Sequence, residues 1–196
     1  PTPAPGLCGG PQIKARIRQA EKQLRWFDRL APGFQAIHEV GARLPQECIA
    51  MLAHSGLSLR FPVTYRVPGY LALLRAADMR PAYQWHRRFL QHLQVGREPL
   101  RWVLKAPAHL HDLAALLEVY PDATIVQTHR DPVTTLPSLA SLRVNIRQAF
   151  SNRVDPHDAG QEVLSWWAQA LQRGLAVKRR QPERFIDLDY RKLLAD

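Results

Sequence analysis

Apolar residues return along this chain with two different periods. In roughly the first half they recur every three or four positions. Ile13, Ile17, Leu24, Phe27 and Leu30 form one such stripe, with Lys14, Arg18, Glu21, Lys22 and Arg25 on the other faces. This pattern predicts a surface helix over residues 12–30. Pro45 is expected to open a second helix over residues 46–54, at a position where its missing N–H costs nothing, burying Ile49, Met51 and Leu52 or their neighbours. Residues 57–68, broken by Pro62 and Pro68, predict irregular chain. Helices are expected again over residues 70–78 and 81–95. The second carries Tyr83, Trp85, His86, Phe89 and His92, and aromatic residues at this spacing read as core packing.

The pattern then changes. Residues 101–105 form a short apolar run that predicts a strand, followed by a turn at 106–108 and a helix over 110–119. After a turn at Pro121 and Asp122, residues 123–128 predict a second strand. Asp131 and Pro132 have the character of an N-cap and first helical residue. Pro137 should kink the helix that follows, or make it begin afresh near Leu136. A long helix over 158–179 leads to a third strand at 184–190, and Leu193 and Leu194 would begin a further helix. Strand and helix alternating at this spacing predict an α/β fold, a parallel sheet flanked by helices with a largely helical first half. Residues 1–10, rich in Pro and Gly, read as a linker or truncated end, and residues 11–196 as a single domain.

Composition narrows the choice of partners. The net charge is +10, mostly from arginine, with lysine only at Lys14, Lys22, Lys105, Lys178 and Lys192. That balance suits an anionic ligand, nucleic acid or an acidic surface. Apart from Lys178-Arg-Arg180 there is no basic stripe interleaved with aromatic residues, which disfavours nucleic acid. No apolar run approaches the ~18 residues of a membrane span. Cys8 and Cys48 match no metal spacing and make no disulfide framework. Cys48 lies on an apolar helical pattern as a buried thiol, so a reducing, cytoplasmic setting is expected.

In an open parallel sheet, ligands bind beyond the carboxyl ends of the strands. Two segments leave those ends here, residues 105–109 and residues 128–138. If their strands are neighbours, one crevice holds Lys105, His109, Arg130, Thr134, Thr135 and Ser138, with two helix N-termini offering free N–H groups to an anion. Arg130 brings a bidentate clamp for phosphate, and Ser138 a hydroxyl donor. Each residue also has an ordinary structural reading, Arg130 as a salt bridge closing a strand and Ser138 as a plain helix serine.

The segments Trp102-Val-Leu-Lys-Ala-Pro-Ala-His-Leu110, Tyr120-Pro-Asp-Ala-Thr-Ile-Val-Gln-Thr-His-Arg-Asp-Pro132 and Pro137-Ser138 resemble the central part of the bacterial sulfotransferases related to tyrosylprotein sulfotransferases. The resemblance extends over residues 25–196, through residues 44–48, 65–70 and 184–190. It implies a P-loop-NTPase-like sulfotransferase fold and the co-substrate 3′-phosphoadenosine 5′-phosphosulfate (PAPS), with no metal. It implies that Arg130 and Ser138, with Thr134 beside them, hold the donor's 3′-phosphate, and that Lys105 lies near the transferring sulfonate. His109 corresponds to the histidine base of aryl sulfotransferases, in a loop where Ala106 replaces the usual serine. The acceptor would be a small-molecule or tyrosyl hydroxyl, and a homo-oligomer is open. The family's glycine-rich phosphate loop is not found: Gly6-Leu-Cys-Gly-Gly10 carries neither the basic residue nor the hydroxyls. The fold is therefore expected to be incomplete, lacking that loop and the C-terminal segment. Competing readings are a non-catalytic nucleotide-binding remnant or interaction module, a nucleic-acid binder and, ranked low for want of a Walker loop, a nucleotide kinase.

Overall fold

The computed structural model describes residues 10–96, 98, 101–193 and 195. The linker expected at residues 1–10 lies outside them except for Gly10, as do Cys8 and Leu194. Helices come first: α1 (Gly10–Leu30), α2 (Phe34–Ile37), α3 (Cys48–Leu52), α4 (Arg60–Thr64), α5 (Pro68–Ala76), α6 (Arg80–Gln94) and α7 (Leu113–Val119). Then come β1 (Ile125–His129), α8 (Pro132–Gln148), α9 (Pro156–Arg180), β2 (Phe185–Asp189) and α10 (Tyr190–Leu193).

The core lies on the helical side. Leu52, Leu71, Leu74, Tyr83, Leu116 and Trp166 bring α3, α5, α6, α7 and α9 together. Trp166 stacks on buried His111, with centroids 4.3 Å apart and planes 12° apart. His111 Nδ1 faces both Arg173 Nη1 at 3.1 Å and Asp112 Oδ1 at 3.3 Å, and Nε2 faces Gln169 Oε1 at 3.4 Å. Gly174 lets α9 press against the 3₁₀ turn Pro107–His111, since a Cβ there would meet Leu110 Cδ1 at 2.5 Å.

The two strands pair in parallel, from Ile125↔Phe185 to His129↔Asp189. One face, with Ile125 and Phe185, turns inward. The other shows Val126, Ile186 and Leu188 to solvent. Lys178 of α9 and His129 (2.5 Å) both engage Asp187 and hold its carboxyl below the usual range, Lys178 contributing most.

Three expectations are corrected. Residues 101–105 take no regular secondary structure and join no ladder, so the sheet has two strands among the described residues. Val103 is 94% exposed, and the segment's one backbone bond to α3 is from Cys48 N–H to the Lys105 carbonyl, 2.9 Å. That bond also explains why α3 starts at Cys48 and not after Pro45: it satisfies an N–H of the first turn that has no partner within the helix. Finally, residues 57–68 are not irregular throughout. Pro62 falls in the first turn of α4, where no helical bond is lost, and Pro68 starts α5. Gly56, at φ +78°, ends the preceding turn, and the Tyr70 hydroxyl donates to its carbonyl at 2.8 Å.

Candidate functional site

The carboxyl end of β1 leads directly into α8. Asp131 caps that helix, its Oδ1 accepting from Val133 N–H at 2.9 Å. Its carbonyl accepts from Thr134 N–H (3.2 Å), Thr135 N–H (3.0 Å) and both threonine hydroxyls (2.9 Å). Pro132 has no N–H. The first turn of α8 therefore does not present the free N–H groups expected of it, because Asp131 takes them. An anion here must be held by side chains. Pro137 does not restart the helix: α8 is continuous through it, although the Val133 carbonyl loses its i+4 partner.

Arg130 stands just before this cap. Its guanidinium carbon lies 5.0 Å over the Tyr190 ring, a cation–π contact that orients the planar group without using its N–H donors. No hydrogen bond or ion pair engages that guanidinium among the described residues, and Ser138 is likewise exposed with its hydroxyl unspent. Tyr190 was not anticipated as a site residue. The signal was available: strands that end in register at His129 and Asp189 put the next residues, Arg130 and Tyr190, side by side.

Lys105 and His109 belong to a different neighbourhood. Lys105 is exposed and forms an ion pair with Glu47, which α3 brings alongside through the Cys48–Lys105 backbone bond. His109 is half-buried, with Nδ1 2.9 Å from the Tyr83 hydroxyl and Nε2 sealed from solvent without a partner. Next to it His86, fully buried, pairs through Nδ1 with the Tyr120 hydroxyl at 2.7 Å. Burial pushes both imidazoles down to about 4, His109 also through its neighbour His86. Burial raises the Tyr83 and Tyr120 hydroxyls well above the usual range and pushes the Cys48 thiol up to about 11. The aromatic pattern on α6 thus includes a buried His–Tyr network. No hydrogen bond, ion pair or ring contact joins Lys105 or His109 to Arg130, Thr134 or Ser138 among the described residues. No group of three or more His, Cys, Asp or Glu residues there is arranged to hold a metal.

The α/β fold thus leaves two side chains with free donors, Arg130 directly after β1 and Ser138 further along α8. The model of the sulfotransferase family matches residues 7–196, and the chain belongs to that family. It is 30% identical over 165 residues to the omega-hydroxy-beta-dihydromenaquinone-9 sulfotransferase Stf3 of Mycobacterium bovis and of Mycobacterium tuberculosis, covering 78% of this chain and 42% of those proteins. Its fold is similar to the crystal structure of sulfotransferase STF1 from Mycobacterium tuberculosis (TM-score 0.84, 31% identity, 99% of this chain and 54% of that one). It is also similar to sulfotransferase STF9 from Mycobacterium avium (TM-score 0.75, 25% identity, 100% and 50%). The chain thus spans about half the length of these relatives. No helix among the described residues is long and apolar enough to cross a membrane.

Proposed function

We propose that residues 11–196 form one domain carrying the 3′-phosphate subsite of a sulfotransferase, which moves a sulfuryl group from PAPS to a hydroxyl acceptor. The observation that carries this reading is a pair of unspent donors: the Arg130 guanidinium at the β1–α8 junction, oriented by Tyr190, and the Ser138 hydroxyl further along α8. A phosphate dianion fits them, because the guanidinium supplies a planar fork and the serine an extra donor. Thr134 adds a third donor only by turning its hydroxyl away from Asp131.

PAPS supplies the sulfuryl group, and the protein's task is positioning and charge stabilisation. Lys105 places a cation for the departing oxygen once it exchanges Glu47 for the ligand. His109 is neutral at pH 7 and is the proposed proton acceptor; its depressed basicity and sealed Nε2 require the acceptor hydroxyl to open its pocket. A small-molecule alcohol, as the names of the menaquinone-sulfating relatives suggest, suits this better than a tyrosyl peptide. A cytoplasmic location, where a free buried thiol such as Cys48 persists, completes the reading.

The committed states of Lys105 and His109 favour a second reading, a module of this family that binds the nucleotide without turnover. Calorimetry with 3′-phosphoadenosine 5′-phosphate tests both. Micromolar binding lost in Arg130→Ala supports the donor site, and no binding by the folded chain overturns it. Given binding, sulfuryl transfer from PAPS to a phenol or alcohol separates transferase from module.

A further inference from the structure

At the other end of α8, the loop over residues 149–155 closes a pocket of about 240 Å³ against the C-terminal end of α4 and the start of α9. Arg147, on its wall, lies nine residues past Ser138, or about 13 Å along the helix axis. The Tyr65 and Phe150 rings form one side, with centroids 5.3 Å apart and planes tilted by 59°.

The charge around this pocket does not balance. Arg147 is 4% exposed. Its Nη2 donates to Glu162 Oε2 and to the Pro62 carbonyl, both at 2.6 Å, and its Nε is sealed without an acceptor. The same Glu162 oxygen also accepts from buried Arg143 at 3.2 Å. One carboxylate therefore answers two buried guanidinium groups. Burial, with Arg147 beside it, pushes Arg143 down to about 10. The two carboxylates of the pocket wall are already engaged: Asp158 with Arg66 at 3.0 Å, and Asp155 with the N–H groups of His157 and Asp158 as the cap of α9. Arg153, at the rim, has no ion pair or side-chain hydrogen bond among the described residues. Arg66, Arg147 and Arg153 line the pocket with Asp155 and Asp158, and behind it Arg143 shares Glu162 with Arg147, so four guanidinium groups are set against three carboxylates beside an aromatic wall. Buried charge without full compensation is costly, and a bound anion offsets it.

We propose that this pocket binds an aromatic carboxylate, its head group on Arg147 and Arg153 and its ring against Tyr65 and Phe150. The site is distinct from the donor subsite and does not depend on the function proposed above. It is tested by calorimetry on the full chain with 2-naphthoate, with circular dichroism to verify the fold of each variant. One-to-one binding is expected, weakened at least tenfold in Arg153→Gln and in Phe150→Ala, and at least tenfold weaker for the neutral 2-naphthamide. Arg130→Ala should bind as the unaltered chain does, which separates this site from the nucleotide site. The proposal is overturned by equal affinity in Arg153→Gln, by amide binding as tight as carboxylate binding, by loss in Arg130→Ala with retention in Arg153→Gln, or by no binding to the folded chain.

Discussion

The helical side of the molecule and its sheet handle the same kind of residue in opposite ways. Around Trp166, which is 1% exposed, the leucines of α3, α5 and α7 and Tyr83 of α6 are buried together. In the sheet, Val126 and its register partner Ile186 are 55% and 49% exposed, and Leu188 on the same face is 37% exposed. Parallel strands are ordinarily covered on both faces; here helices cover one. Stability therefore resides in the helices, whereas Arg130, one of the donors proposed for the nucleotide, hangs from the end of a strand that contributes little burial. The sheet orients Arg130 and Tyr190, and Lys178 of α9 ties to it through Asp187.

Four measurements would break or sharpen that contrast. Trp166→Ala should show the largest effect, a loss of about 3–5 kcal/mol in urea unfolding. A loss below about 1 kcal/mol would move the core away from this tryptophan. The second measurement concerns pH. His86 and His109 are held neutral, near 4, by burial, whereas an unfolded histidine titrates near 6.5. Below pH 6.5 the unfolded chain binds more protons, so stability is full above 6.5 and is lost as pH falls toward 4. For fully buried His86 the loss is on the order of 3 kcal/mol. His86→Gln should flatten the profile by about half, and an unchanged profile would show that other groups govern it.

Gly174→Ala follows, at about 1–3 kcal/mol from overpacking against Leu110. Because Leu110 belongs to the turn that carries His109, this variant should also disturb histidine resonances in NMR spectra. A neutral outcome with unshifted resonances would show that the turn yields freely. The smallest effect should come from Ile186→Thr on the open face of the sheet, within about 0.5 kcal/mol. A loss comparable to that of Trp166→Ala would erase the contrast between the two regions.

Much of this was legible where local chemistry and periodicity agree. The stripe from Ile13 to Leu30 is a surface helix, and Asp131-Pro132 does cap and start α8. Both follow from interactions within a few residues. Residues 101–105 misled because an apolar extended run specifies a strand only when a partner supplies the hydrogen bonds, and no local feature of Trp102 or Val103 reveals that partner. Pro62 misled for a related reason: the same proline breaks a helix interior but is accepted in a first turn, and the position of that turn is set by Ser58, whose hydroxyl donates to the Ile49 carbonyl at 2.9 Å.

The candidate residues divide along the same line. Sequence alone determined that this is an α/β chain of the sulfotransferase family, with Arg130 directly after a strand, since motif order and spacing are local. Only the tertiary structure decided which donors are free. It placed Tyr190 under Arg130, Glu47 on Lys105, Tyr83 on His109, and one carboxylate between Arg143 and Arg147. Each of these pairings joins residues far apart in the chain or set by helix register, and availability to a ligand depends on what folding has already brought against the group.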